Sequence, residues 1–166
     1  GVRPMHIVTV LLAVLLLVIP TTLLAADAAI PRESESKIAQ EWLDALARTA
    51  NAKDYVAHMD LISKDVKVYG VPGFEVIDYN DWAAQSKHEF ETGLLHRVSY
   101  EGMKVRTMTP ANVMFKVKET IEGTDGTVTS QGVEIIIRKE FDGKWRVLQE
   151  RILSADEMEH DGGRLQ

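Results

Sequence analysis

The chain has 166 residues, 45% hydrophobic and 27% charged, with a formal net charge of -6 and no cysteine. Those fractions are ordinary for a globular chain and exclude wholesale disorder. The missing cysteine excludes disulfides, zinc-thiolate sites, thiol nucleophiles and a lipidated cysteine after the leader. An acidic balance without a clustered Lys/Arg surface argues against a nucleic-acid partner.

The first segment is apolar. Ile7 to Ala26 carries no charge, and as a helix it would rise ~30 Å, the thickness of a bilayer core. Arg3, the Leu/Val run and Ala26-Asp27-Ala28 supply the basic, apolar and small-residue parts of a secretory signal in that order. The run exceeds the usual apolar region of such signals, so residues 1–29 read as either a cleaved signal peptide or an N-terminal membrane anchor. With Arg3 inside, both readings export the remainder, to a periplasmic or secreted location, and the membrane is touched only through an uncleaved leader.

Residues 30–36 read as a polar linker, with Ser34 or Ser36 available as a helix cap. Ile38, Trp42, Leu46 and Ala50 then recur at helical spacing beside Ala39, Leu43 and Ala47, an amphipathic helix whose wide face needs a sheet to cover it. Asp54 can cap a second, short helix with Tyr55, Met59 and Ile62 on one face. Val66 to Tyr69 alternates as a strand and stops at Gly70-Val71-Pro72-Gly73. Asp78 to Asp81 opens a third helix carrying Trp82, Ser86, Glu89, Phe90 and Gly93.

The period then switches to two. His96 to Thr109 reads as a long strand in which Gly102 marks a bulge or bend. Val113, Phe115, Val117 and Ile121 alternate on the next strand. Thr124-Asp125-Gly126 turns into a third carrying Val133, Ile135 and Ile137, and Asp142-Gly143 makes the last tight turn. Residues 37–154 form one domain and 155–166 a short flexible tail. Helices first and hairpin strands afterwards predict an α+β layer, an antiparallel sheet with helices on one face.

Two passages, ALARTANAKDYVAHMDLISKDVKVYG and FDGKWRVLQERILS, resemble the helix, short helix, first-strand segment and the final hairpin of the nuclear transport factor 2-like superfamily. That superfamily includes ketosteroid isomerases, SnoaL-type polyketide cyclases, scytalone dehydratase and the association domain of calmodulin-dependent kinases. The resemblance covers about Ile38 to Leu153 and implies a cone-shaped, bent antiparallel sheet packed on three N-terminal helices. It implies fold rather than activity, because the superfamily carries many unrelated functions. The isomerases' general-base Asp precedes a Pro-Val-Gly turn, and the matching position here is Val71. The nearest match to their oxyanion acid is Ile137. Neither side chain can move a proton, so the isomerase reaction is not expected.

Glu119 is the sharpest anomaly: it continues the apolar alternation of Val113, Phe115 and Val117, and a buried carboxylate must be paired or protonated. Strict alternation on the last strand would put Trp145, Val147, Gln149 and Arg151 on one face, where Arg151 could pair with Glu119 and Gln149 could supply an amide. The alternative is a sheet-edge Glu in solvent with an ordinary rim salt bridge. Trp42, Tyr55, Tyr69, Trp82 and Phe90 could wall a cavity or simply fill the core. His58, four residues after Asp54, could serve a pocket or a surface ion pair. His88-Glu89 begins like a zinc-protease motif, but Thr92 stands where the second His is required. No metal ligand set and no cofactor motif is present in the sequence.

The first expectation is an exported domain that binds a small apolar molecule in the cone, without assigned catalysis. The pocket candidates are Trp42, Tyr55, His58, Tyr69, Trp82, Phe90, Glu119, Gln149 and Arg151. The rivals are a membrane-anchored structural module of the cell envelope, similar to periplasmic domains of type IV secretion assembly factors, and a SnoaL-like lyase, isomerase or cyclase using Glu119 or His58 as base. Apolar groups on both faces of the strand from Val133 to Arg138 predict a homodimer through the sheet.

Overall fold

The computed structural model describes residues 32–160, so the leader assigned to 1–29, the first two linker residues and the last six residues lie outside the described residues. Four helices and five strands follow in the order α1 (Arg32–Asn51), α2 (Tyr55–Met59), β1 (Ile62–Tyr69), α3 (Tyr79–Thr92), β2 (Leu95–Thr109), β3 (Asn112–Gly123), β4 (Val128–Lys139), β5 (Trp145–Ile152) and α4 (Ala155–His160).

Three of the helices, α2, α3 and α4, start for a local reason. Asp54 accepts a hydrogen bond from the Ala57 amide at 3.2 Å and caps α2. Asp78 and Asp81 form a reciprocal capping box at α3, and Gly93 ends it in the left-handed conformation at φ 68°. The helical spacing carries α2 on to Ile62, but the structure ends α2 at Met59 and begins β1 at Ile62. α1 begins at Arg32, inside the stretch expected as linker. Ala155–His160, expected as loose tail, is helical because Ser154 and Glu157 cap it: the Ser154 amide donates to Glu157 and the Glu157 amide to Ser154 Oγ. Met158 on this helix is buried and packs on Gly132, where a Cβ would collide with its sulfur.

The strands form one curved, unclosed sheet in the order β1-β5-β4-β3-β2. The pairings β2–β3, β3–β4 and β4–β5 are antiparallel, as the hairpin turns require. The fourth pairing corrects the all-antiparallel expectation, because β1 lies parallel to β5. Parallel neighbours need a long crossover, and α3 with three strands supplies it.

The inner face of the sheet covers the apolar stripe of α1. Ala39, Trp42, Leu43 and Leu46 meet Val113, Phe115, Val117, Val133, Ile135, Ile137 and Val147 in one core. Trp42 sets its ring edge against Phe115, centroids 6.2 Å apart, and donates its indole N–H to the Leu61 carbonyl at 3.3 Å. A smaller cluster of Ala50, Leu95 and Val98 sits beside it, with Phe90, Tyr100 and Ile121 packed against it. Among the described residues no helix is long and apolar enough to cross a membrane.

Candidate functional site

The inner face is apolar until it reaches two carboxyl groups. Glu119 and Glu150 are each only 8% exposed. Glu119 points inward because β3 alternates without interruption from Val113. Gln131 stands directly across from it on β4, a register set by the hairpin turn, and donates its amide to Glu119 Oε1 at 3.0 Å. Tyr100 stands across from it on β2 and donates its hydroxyl to Oε2 at 2.9 Å. The Tyr100 contact depends on irregularity: extended unchanged, the register at Thr109 and Asn112 would set Gly102 opposite Glu119. Two register shifts in β2, one at Gly102 with φ 69°, slide Tyr100 into that place.

Glu150 arrives by a similar device. The pairing of β4 with β5 shifts between Ile136, opposite Gln149, and Ile137, opposite Val147. One extra residue in β5 reverses which side chains point inward, so Glu150 joins Val147 on the inner face. The expected grouping of Trp145, Val147, Gln149 and Arg151 on one face is therefore corrected. Gln149 and Arg151 lie on the outer side, opposite Ile136 and Glu134. Arg151 does not pair with Glu119; it binds Glu134 at 3.2 Å and Glu157 at 2.6 Å.

The electrostatics follow from burial. Glu119 is raised above the ordinary carboxylate value by desolvation, an effect opposed by its hydrogen bonds from Gln131 and Tyr100. Glu150 is pushed up to about 8, first by desolvation and then by the charge of Glu119. Tyr100 is raised well above 10 by burial and by both carboxylates. Two donors select the ionised form of Glu119, whereas no described residue donates to or pairs with Glu150. Hydrogen bonds thus favour the charged form of Glu119 against the upward push of burial, while nothing opposes burial at Glu150. No Lys or Arg is among the buried described residues.

His58 is buried close by, its Nδ1 3.0 Å from Thr49 Oγ1. The Thr49 hydroxyl lies within donating distance of the Ala45 and Leu46 carbonyls, so His58 Nδ1–H is the donor to Thr49 and Nε2 carries the lone pair. Desolvation lowers His58 to about 4, which keeps the ring neutral at pH 7. Phe90 meets His58 edge-on at 5.4 Å between centroids and shares with Tyr100 the cluster of Ala50, Leu95 and Val98.

The remaining candidates do not converge there. Trp42 is core, and Trp82 packs half-buried on the same core. Tyr69 is exposed on the edge strand β1. Tyr55 lines an open cleft of about 820 Å³ with Met59, Ile62, Lys64, Tyr79 and Arg146. The charges of that cleft are largely taken up by each other: Asp60 binds Lys144 at 2.7 Å and Arg146 at 2.9 Å, Glu140 binds Arg146 at 3.0 Å, and Lys64 sits 3.9 Å over the Tyr79 ring. Among the described residues no group of three or more His, Asp or Glu could hold a metal ion.

Three members of the inner group, Tyr100, Gln131 and Glu150, are not among the residues singled out from sequence. Gln131 was accessible, because the turn at Thr124-Asp125-Gly126 sets its register against Glu119. Tyr100 and Glu150 depend on bulges that leave no comparable local mark, apart from Gly102.

No protein-family model matches the chain, and no curated protein sequence matches it either. Solved structures do. A nuclear transport factor 2-like protein of unknown function from Pseudomonas putida is 11% identical and superposes with a TM-score of 0.60, covering 75% of this chain and 88% of its own. A protein provisionally described as a dehydratase of the same family, from Streptomyces avermitilis, is 13% identical with a TM-score of 0.55, covering 72% and 95%. Another, provisionally described as an aromatic ring hydroxylase from Novosphingobium aromaticivorans, is 14% identical with a TM-score of 0.59, covering 75% and 90%. Likeness at these identities speaks for architecture, and together with the order of helices and strands it establishes that the chain adopts the nuclear transport factor 2-like fold.

Proposed function

We propose that this domain binds a small, largely apolar molecule through one polar group, in the interior between the inner sheet face and the helices α1–α3. One observation carries the reading: Glu150 is buried beside the apolar core on the inner face, with burial and the charge of Glu119 raising its pKa, and has no hydrogen-bond or ion-pair partner among the described residues. A largely desolvated carboxyl group without a hydrogen-bond partner costs stability, which calls for a role beyond it. The neighbouring folds described as a dehydratase and a ring hydroxylase are compatible with small-molecule handling.

Ligand-detected NMR with a library of small aromatic and alicyclic molecules tests the reading. Hits that disappear in Glu150→Leu support it, provided that variant is more stable than the parent by about 1–4 kcal/mol. A Glu150→Leu protein that loses stability marks Glu150 as structural and sinks the reading.

A second reading rests on the same pair. A neutral acid beside a charged carboxylate is an acid-base couple, which suits a SnoaL-like lyase, isomerase or cyclase with Glu119 as base and Glu150 as acid. Solvent deuterium incorporated beside a carbonyl of an added substrate, and lost in Glu119→Gln, would support it. The burial that lowers His58 makes it the weaker base.

The uncharged stretch from Ile7 to Ala26 supports export, as a secreted or anchored domain. Met114 and Ile136, half-buried on the outer sheet face, support pairing of two copies there. Light scattering that detects monomer alone at micromolar concentration would count against that pairing.

A further inference from the structure

The open cleft between α2, the start of β1, the start of α3 and the β4–β5 hairpin lies apart from the inner carboxylates, for neither Glu119 nor Glu150 lines it. Its volume, about 820 Å³, falls in the range of ~300–1,000 Å³ typical of small-molecule sites. Tyr55 and Met59 reach it from one face of α2, Ile62 and Lys64 from β1, and Tyr79 from the first turn of α3. Both tyrosine rings are half-buried against the main core, so their places are set before anything binds.

The charged groups of the cleft decide what it can take. Asp60 is held by Lys144 at 2.7 Å and by Arg146 at 2.9 Å, and Glu140 by Arg146 at 3.0 Å. Asp54 gives one oxygen to the Ala57 amide as the cap of α2. Lys64 is different. Its ammonium lies 3.9 Å from the centre of the Tyr79 ring and makes no ion pair with a carboxylate among the described residues. The ring takes one side of an ammonium that carries three N–H donors. A cationic ligand would have to displace Lys144 or Arg146, or settle for the exposed Asp54, whereas an anion meets Lys64 without breaking any of these pairs.

We propose that this cleft binds a small aromatic carboxylate, whose charged end pairs with the Lys64 ammonium and whose ring lies against Tyr55 and Met59. Tyr55 offers a ring for offset or edge-on contact, and Met59 offers a polarisable thioether, so an aromatic body gains more here than an aliphatic one. The inference goes beyond the interior site and uses none of its carboxylates.

Solution NMR of the isotopically labelled full chain, titrated with 3-phenylpropionate and separately with its neutral counterpart 3-phenylpropionamide, tests it. The acid is expected to bind about fivefold more tightly than the amide, the preference that one partly exposed ion pair supplies. It should shift the signals of Tyr55, Met59, Lys64 and Tyr79. Lys64→Gln should erase the preference, and Lys64→Arg should retain it. Equal affinities, a tighter amide, binding of neither probe, or a preference that survives Lys64→Gln overturns the inference. Shifts confined to Tyr100, Glu119 and Glu150 also overturn it, because they place the acid in the interior. Lys64 is exposed, so its replacement leaves the core untouched, and the comparison of the two probes in the parent protein needs no variant.

Discussion

The molecule holds two groups of carboxylates whose chemistry runs in opposite directions. At the rim, Arg146 contacts Asp60, Glu140 and Asp142, while Arg138 contacts Asp65 and Glu140. There Arg146 holds Asp142 down to about 2. On the inner face, Glu119 and Glu150 have no described cation, and burial drives both upward. The same residue type is an anchor in one place and an unsettled charge in the other. The difference lies in exposure and counter-charge: rim groups keep both, and the inner pair is largely desolvated with no described cation beside it.

Stability against pH should expose this contrast most strongly. Glu150 binds its proton more tightly folded, near 8, than unfolded, near 4.5. Its stabilising contribution is therefore complete below the unfolded value and lost as pH rises through about 8, whereas that of Asp142 is present above 3.8 and lost as pH falls through about 2. Urea melts from about pH 5 to about pH 9 should lose on the order of a few kcal/mol. Glu150→Gln should flatten that slope, and an unchanged slope in the variant would remove the inner pair from the comparison.

Removing one donor from the inner pair comes next. Tyr100→Phe leaves Glu119 with Gln131 alone and should destabilise by about 1.5–3 kcal/mol at neutral pH. The deficit should shrink on acidification, as Glu119 gains a proton, and urea melts at two pH values would detect that. A deficit independent of pH would mean that Tyr100 matters through packing.

Rim substitutions should cost less and respond to salt. Arg146→Ala should lower stability by about 1–2 kcal/mol through loss of charged hydrogen bonds at a partly solvated site. Melts at low and high ionic strength should bring variant and parent closer together, because exposed charges are screened. Arg151→Ala should cost under ~1 kcal/mol, since its partners Glu134 and Glu157 lie outside the inner face. A loss of several kcal/mol there would restore the buried Glu119–Arg151 pair that sequence alternation suggested.

Local chemistry wrote much of the fold into the chain. Asp54, Asp78 and Gly93 mark helix ends, and the period change after Gly93 marks the passage from helices to strands. The alternation from Val113 to Val117 carries Glu119 to the inner face with no tertiary information needed. The Ser154 and Glu157 capping box is equally local, although it sits in a short acidic segment that composition alone reads as tail.

Bulges are where reading by alternation stopped. Side chains along a strand change face with every residue, so one extra residue in β5 exchanges Gln149 and Arg151 for Glu150 on the inner side, and paired shifts in β2 replace Gly102 by Tyr100 opposite Glu119. A bulge costs little locally and is chosen by how two strands and the layer above them fit together. The sequence by itself thus determined the order of elements, the α+β layering and the inward carboxylate at Glu119. Only the tertiary structure decided which groups surround it, because strand register is a property of pairs and not of single strands.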